Sequence, residues 1–271
     1  MFRFFRRIRQ KLFLEGRVSR YFGYAIGEIA LIVVGILIAL YISDWNQAKK
    51  DHTEETAILI ELKTEFDENQ ERLAYNRSEH RFTSETMRSF LKLIKPEPES
   101  VSDELIHRYM ASLQFLPTYK PNTKVLNSLI SSGKIALIKN KTLNNNLSNW
   151  PTAMEEYKNY TTLIVESLKL QMPGLYAYHQ FKDSMINVGE KRTSTIPPEK
   201  LSHAGPSNFR YDQETLLSLP SLENAVEFKR VNSDMVLLII EDLSAIQQEI
   251  LDLIDAELAE RDVGGEDPAS R

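Results

Sequence analysis

The chain contains no cysteine among its 271 residues. This absence excludes disulfide bonds, thiolate nucleophiles, iron–sulfur clusters held by cysteine and zinc sites with cysteine ligands. It does not fix the compartment, because a domain of this length can bury enough apolar surface to be stable without disulfide bonds. The composition is therefore compatible with a periplasmic location.

Histidine is also sparse, and the common catalytic and nucleotide-binding motifs are missing. The five histidines are scattered, and only Glu104 and His107 form an E-x-x-H pair, a pattern that di-iron bundles use twice with two further glutamates. The phosphate-binding loop, the dinucleotide glycine fingerprint and G-x-S-x-G do not occur. We therefore expect no enzymatic activity, no catalytic residues, no cofactor and no metal site.

Charge is distributed unevenly along the chain. The net charge is −5, yet residues 1–20 carry seven basic side chains and a single acidic one. The other residues have 26 basic and 37 acidic side chains, a net charge of −11. An acidic body repels phosphates, and an adjacent membrane explains the basic arm, so nucleic acid is excluded as the main ligand.

A long apolar run follows the basic arm. Tyr21 to Ile42 contains Glu28 as its only acidic or basic side chain, and Ile29 to Ile42 contains none. About 20 apolar residues cross a hydrocarbon core of ~30 Å, so residues 21–43 are predicted to form a transmembrane helix. The excess of basic residues before the run places the N-terminus in the cytoplasm.

A cleaved signal peptide would also combine a basic region with an apolar stretch. The exit from the run, Leu40 to Trp45, lacks the small-x-small pattern of a cleavage site. We therefore interpret the segment as an uncleaved anchor. Apolar residues recur at helical spacing within residues 1–20, which predicts a basic amphipathic helix lying on inner-leaflet lipid.

The N-terminal sequence resembles a known family. The stretches FFRRIRQKLFLEG and YAIGEIALIVVGILIALYISDWNQ, within residues 4–47, are similar to the opening of an uncharacterised Bacteroidota family of small single-pass inner-membrane proteins, a domain of unknown function. The segments GEI and GILIAL and the WN pair carry the resemblance, with a looser similarity over Leu126 to Leu147. The resemblance implies an inner-membrane protein with a periplasmic body, and it implies no activity or catalytic residues.

One face of the predicted transmembrane helix combines a carboxyl group with small residues. Glu28, Gly35 and Ala39 share this face because steps of 7 and 11 residues return nearly to the same angle, and Gly23 and Gly27 form a G-x-x-x-G pair beside it. A carboxyl group inside a membrane is costly without a partner, so we expect helix association through this face. The alternative is that Glu28 only reaches the inner headgroups.

The rest of the chain shows mainly helical periodicity, with apolar residues every three or four positions. The predicted helices run from Asp44 to Leu93, Ser102 to Gln114, Thr123 to Gly133, Asn140 to Pro173-Gly174, Leu175 to Lys182 and Ser221 to Glu260. We predict an all-α fold in which the N-terminal transmembrane helix is followed by an antiparallel helical bundle over residues 44–260. Residues 188–210 are predicted to form a loop and residues 261–271 a disordered tail. The only candidate strand is Ala136–Ile138.

Four polar residues interrupt the apolar stripe of the first long helix of the body. Asn69, Asn76, His80 and Thr83 occupy positions that are apolar on either side. They could line a ligand cavity inside the bundle. They could instead lie in a splayed, water-exposed segment, or form a buried polar layer that fixes the helix register.

These patterns lead to two hypotheses about function. The first is a non-enzymatic assembly or interaction module of the cell envelope, bound to membrane lipid and to a second copy or an envelope protein. The alternative is a periplasmic sensor or ligand-binding module that acts through a partner, because an arm of 20 residues is too short to be a signalling domain. Both hypotheses place the chain in the bacterial inner membrane, with a cytoplasmic N-terminus and a periplasmic body.

Overall fold

A computed structural model of the chain describes residues 18–184 and 207–264. Regular structure in these residues is entirely helical. The helices are α1 (Val18–Leu91), α2 (Asp103–Gln114), α3 (Lys124–Ser132), a 3-10 helix (Lys134–Leu137), α4 (Lys141–Tyr176), α5 (Phe181–Ser184), α6 (Gln213–Leu217) and α7 (Pro220–Gly264). The predicted all-α fold is confirmed.

The chain divides into two compact units, residues 1–58 and residues 59–271. In the first unit, the large apolar side chains of α1 between Ile26 and Trp45 are exposed, including 78% of Leu31 and 74% of Tyr41. The most apolar 18-residue window of α1 has a mean hydropathy of 2.4, and none of it is buried. Exposure of these side chains to water costs roughly 25 cal/mol per Å² of apolar surface. The run is therefore compatible with a single-pass membrane protein.

The second unit is a bundle built from the remainder of α1, α4 and α7. Side-chain hydrogen bonds join Gln70 to Gln248 and Ser84 to Asp234, so residue numbers rise along α1 as they fall along α7. Tyr160 on α4 likewise bonds to Asn232, while Asn140 at its start bonds to Glu257. Helix α7 therefore runs antiparallel to both α1 and α4.

The core of the bundle consists of apolar side chains spaced by three and four residues on the long helices. Phe66 on α1 and Trp150 on α4 are almost fully buried, with their ring centroids 5.5 Å apart. Other buried apolar residues include Leu62, Leu73, Met87, Phe90, Leu147, Ile164, Leu168, Val226, Val236, Ile240, Leu243 and Ile250. The apolar stripes thus bury one another, as a helical bundle requires.

Two helix starts were predicted correctly. The side chain of Ser102 accepts a hydrogen bond from the backbone N–H of Leu105, and that of Asn140 accepts one from Leu143. The predicted cap at Ser221 is wrong, since α7 already begins at Pro220. Proline fits the first helical turn because it has no N–H to leave unpaired there.

The predicted end of α4 at Pro173-Gly174 is also wrong, because the helix continues to Tyr176. Met172 and Leu175, on either side of this pair, are buried in an apolar cluster with residues of α1, α2, α6 and α7. Packing of these two side chains holds the last turn, and so overrides the tendency of proline and glycine to end a helix. The predicted short helix Leu175 to Lys182 is replaced by α5, which starts at Phe181.

Three further predictions differ from the structure. The candidate strand Ala136–Ile138 is wrong: Gly133 adopts a left-handed conformation with φ 73°, and a 3-10 helix follows it directly. Helix α6 was not predicted, although Asp212 caps it and Leu216 and Leu217 are fully buried. Helix α7 extends to Gly264, four residues into the predicted tail, while residues 188–206 of the predicted loop and residues 265–271 lie outside the described residues.

Helix α3 receives its N-terminal cap from another helix. Thr123 occupies the N-cap position but makes no side-chain cap hydrogen bond. Instead the buried carboxylate of Glu65, on α1, accepts hydrogen bonds from the backbone N–H groups of Val125 (2.7 Å) and Leu126 (3.1 Å). A carboxylate is favoured there, because the first N–H groups of a helix are unpaired and carry partial positive charge.

Glu65→Ala should therefore lower the free energy of unfolding by about 3 kcal/mol, since hydrogen bonds to a charged group contribute roughly 1.5–3 kcal/mol each. Guanidinium unfolding of the full chain in detergent, followed by circular dichroism, measures the change. The exposed Glu61 on the same helix provides the control, and Glu61→Ala should change stability by no more than about 0.5 kcal/mol. Similar losses in the two variants would contradict the capping role.

Candidate functional site

The polar stripe of α1 lies inside the bundle. Asn69, Asn76, His80 and Thr83 are 1%, 3%, 0% and 1% exposed. Buried polar groups are destabilising unless they are hydrogen-bonded. The partners of these side chains therefore decide what the stripe does.

Two members of the stripe bind the backbone of residues 115–123, the non-helical connection between α2 and α3. The side-chain amide of Asn69 donates to the carbonyl of Asn122 (2.6 Å), and its oxygen accepts from the Asn122 backbone N–H (2.7 Å). Nε2 of His80 lies 3.0 Å from the carbonyl oxygen of Pro117. These bonds supply partners for a backbone that has no helix to provide them.

Asn76 acts on the same connection through a tyrosine of α4. The Tyr157 hydroxyl donates to Oδ1 of Asn76 (3.0 Å) and accepts from the backbone N–H of Tyr119 (2.9 Å). Tyr119 in turn donates its own hydroxyl to the backbone carbonyl of Asn69 (3.3 Å), and its ring meets that of Tyr157 edge to face.

A fully buried lysine completes this set of contacts. Nζ of Lys229, on α7, donates to the backbone carbonyl of Phe115 at 2.6 Å. We refer to Asn69, Asn76, His80, Tyr157 and Lys229 as the connection clamp. Sequence reasoning missed Lys229, although its position three residues after Val226, on the buried stripe of α7, could have identified it.

Thr83, the last member of the stripe, is not part of the connection clamp. Its hydroxyl donates to the carbonyl of Glu79, one turn back along α1 (2.8 Å). Its neighbour Ser84 bonds instead to Asp234 on α7. The stripe therefore combines three residues that act on the connection with one that satisfies itself locally.

The connection clamp holds its histidine in the neutral form. Burial, and to a lesser extent the charge of Lys229, lower the pKa of His80 to about 4, against the opposing effect of its bond to the Pro117 carbonyl. At neutral pH, Nε2 therefore carries the hydrogen that it donates to Pro117. Burial also raises the pKa of Tyr157. The connection clamp thus combines a neutral imidazole, whose buried Nδ1 has no hydrogen-bond partner among the described residues, with hydrogen bonds from Asn69, His80 and Lys229 to backbone carbonyls.

The single E-x-x-H pair leads to a different contact. Nδ1 of His107 lies 2.9 Å from Nε2 of His179, a residue far along the chain. Among residues 18–184 and 207–264, no three histidine, aspartate or glutamate side chains are arranged to hold a metal ion. The histidine pair is thus a hydrogen-bonded contact between two parts of the fold.

The predicted association face lies on the exposed apolar part of α1. A Cβ atom placed on Gly27 or Gly35 would meet no atom within 4 Å. Ala39 is exposed and Glu28 is half-buried on the same helix, and Gly23 also lies within α1. The backbone at Gly35 is therefore accessible to a second helix.

The connection clamp makes stability depend on pH. Because the pKa of His80 is lower in the folded protein than its ordinary value of 6.5, the stabilisation is complete above pH 6.5 and is lost as the pH falls towards 4. At 1.36 kcal/mol per pKa unit, His80 should account for a loss of about 3 kcal/mol. In His80→Gln, the glutamine can still donate to Pro117 but does not titrate in this range. The unfolding free energy of the variant should therefore fall by about 3 kcal/mol less than that of the wild type between pH 7 and pH 4.

Chemical unfolding at a series of pH values measures this effect. The variant should keep part of the acid dependence, because the pKa of His179 is also lowered to about 4. His52 is exposed, so His52→Gln is the matched control and should behave like the wild type. An unchanged pH dependence in His80→Gln would contradict the assignment.

Comparison with known proteins gives one family. No curated protein and no solved structure matches the chain. The model of a family of unknown function (DUF6090) matches residues 28–166, which begin in the apolar run of α1 and include four of the five connection-clamp residues. Because the match covers just over half of the sequence, the chain belongs to the family of unknown function DUF6090.

Proposed function

We propose that the chain is a non-enzymatic, single-pass protein of the bacterial inner membrane, whose helical body lies in the periplasm and assembles with a second copy or an envelope partner. The observation that carries this proposal is the contrast between the two units. In the first unit, the apolar side chains of the helix are exposed. In the second unit, buried polar side chains make hydrogen bonds to backbone groups of the same unit.

The membrane part of the proposal rests on length and charge. The exposed apolar residues of α1 follow one another for long enough to cross a hydrocarbon core of ~30 Å. The seven basic residues of the N-terminal arm favour retention of that end in the cytoplasm. With a single crossing, the body then lies in the periplasm.

The assembly part rests on the face that contains Glu28, Gly35 and Ala39. Lipid provides no hydrophobic drive for two helices to associate, so close packing at small residues and polar contacts between helices take its place. The open position at Gly35 allows such an approach. The carboxyl group of Glu28 is stabilised more by a polar contact with a neighbouring helix than by contact with hydrocarbon.

The connection clamp favours assembly over ligand sensing. A sensor that used the polar stripe would need Asn69 and Asn76 to face a bound molecule. Both ends of the Asn69 amide bind Asn122, and Oδ1 of Asn76 accepts from Tyr157. These groups already have partners within the protein, so a ligand would have to displace the connection.

The proposed topology predicts the outcome of a reporter fusion. A reporter that is active only outside the cytoplasm should be active when fused after Glu260, because a single crossing takes the body across the membrane. A cytoplasm-only reporter at the same site is the matched control and should be inactive. Activity of the cytoplasmic reporter alone would reverse the orientation.

Association of the transmembrane helix should depend on Gly35. Gly35→Leu adds bulk to the close-packed face and should weaken association, whereas Val34→Leu, about 100° away around the helix, should have little effect. Glu28→Ala should weaken association by ~1 kcal/mol if the carboxyl group bonds across the contact. A two-hybrid assay for membrane helices compares the variants.

Glu28→Gln distinguishes the two kinds of contact that the carboxyl group can make. Retained association indicates a hydrogen bond from a neutral group, and lost association indicates an ion pair. Equal signals from the wild type, Gly35→Leu and Glu28→Ala would refute the assembly face, leaving Glu28 as a residue that reaches the headgroups.

A further inference from the structure

A second polar cluster lies between α2 and residues 177–184. His179 is fully buried, and its Nε2 faces Nδ1 of the half-buried His107 on α2 at 2.9 Å. Nδ1 of His179 lies 3.3 Å from the hydroxyl of the buried Ser184. Gln114, at the end of α2, donates its side-chain amide to the same hydroxyl at 3.0 Å. Two side-chain hydrogen bonds therefore join α2 to this segment. One is made by His179 itself and the other by Ser184, which lies against its ring.

The hydrogen-bond directions in this cluster follow from its donors. Because Gln114 can only donate through its amide nitrogen, Ser184 accepts that hydrogen and can give its own to Nδ1 of His179. His179 then carries its hydrogen on Nε2 and donates it to Nδ1 of His107. The three hydrogens shared along this chain of contacts, from Gln114, Ser184 and His179, then each have an acceptor.

Charged and titratable groups face the pair from each neighbouring element. Asp103 lies on α2 and accepts from the Tyr211 hydroxyl at 2.7 Å. Asp183 lies on α5 and accepts from the backbone N–H of Ser207 at 2.7 Å. The Tyr211 ring packs against both imidazoles, at 5.0 Å from His179 and 5.8 Å from His107. The two carboxylates already have hydrogen-bond partners and contribute negative charge near the pair.

We propose that His107 and His179 form a latch that joins α2 to residues 177–184 and opens when both rings carry a proton. A single added proton is compatible with the contact, because one of the two facing ring nitrogens can still donate its hydrogen to the other across 2.9 Å. A second proton is not compatible, because two N–H groups would then point at each other across 2.9 Å between two positive charges.

The environment of the pair delays this opening until the medium is acidic. Burial, followed by the charge of His107, lowers the pKa of His179 to about 4, while Asp183 and Asp103 act in the opposite direction. The latch is therefore closed at neutral pH and opens as the pH falls below the ordinary histidine range. On opening, α2 loses the hydrogen bond between His107 and His179. The hydrogen bond from Gln114 to Ser184 then no longer has this second bond beside it.

The distance between α2 and residues 177–184 tests the latch. Because the chain has no cysteine, Glu104→Cys and Ala177→Cys place two spin labels at exposed positions flanking the pair. Electron paramagnetic resonance on the full chain in lipid nanodiscs then reports the distance between pH 7.5 and pH 4. We expect one short distance at neutral pH and a longer population that reaches half its final amplitude below pH 6.

His107→Gln provides the decisive comparison. A glutamine oxygen can accept the hydrogen of His179 but cannot be protonated in this range, so the short distance should persist in acid. His52→Gln should open like the wild type, because His52 is exposed and does not belong to the latch. Circular dichroism should show unchanged helix content while the distance changes.

Three outcomes would overturn the proposal. The first is a short distance that persists to pH 4 in the wild type. The second is opening of His107→Gln at the same pH as the wild type. The third is a loss of helix content that accompanies the change in distance, since the transition would then be unfolding of the bundle.

Discussion

The structure of the body depends on how the backbone of residues 115–123 finds hydrogen-bond partners inside a helical bundle. A non-helical segment brings unpaired N–H and carbonyl groups with it, and these are costly to bury. The chain meets this constraint with Asn69, His80, Tyr157 and Lys229, which come from three different helices. Polar residues in otherwise apolar stripes are the consequence, and the connection in turn specifies how α1, α4 and α7 are aligned.

This alignment argues for the register-fixing interpretation of the polar stripe. If α1 slid by one turn along α7, Asn69 would lose both bonds to Asn122, and Glu65 would leave the N-terminus of α3. Each loss would leave a buried group unpaired, at about 1–3 kcal/mol apiece. Burial of apolar side chains alone is less selective, because the hydrophobic effect is non-directional. The clamp thus adds directional contacts that distinguish the observed register from a shifted one.

Local patterns in the sequence predicted most of the fold. Caps such as Ser102 and Asn140 act within three residues, so their effect is visible in the sequence. The errors occurred where distant residues decide the outcome. Met172 and Leu175 carry α4 past a proline because of packing against other helices, and α3 is capped by a carboxylate 60 residues away. The stripe was recognised as unusual, but the partners of Asn69, His80 and Thr83 are backbone groups, which have no signature in the sequence.

The two histidine sites act on neighbouring points of the chain. Gln114, the last residue of α2, bonds to Ser184 beside His179, and the next residue, Phe115, is held by Lys229. Two residues further on, Pro117 is held by His80. Both buried histidines have lowered pKa values, so acid disfavours both of their environments in the same direction. The effect of acid is therefore concentrated where α2 passes into the connection, whereas the apolar packing between α4 and α7 contains no comparable group among its described core residues.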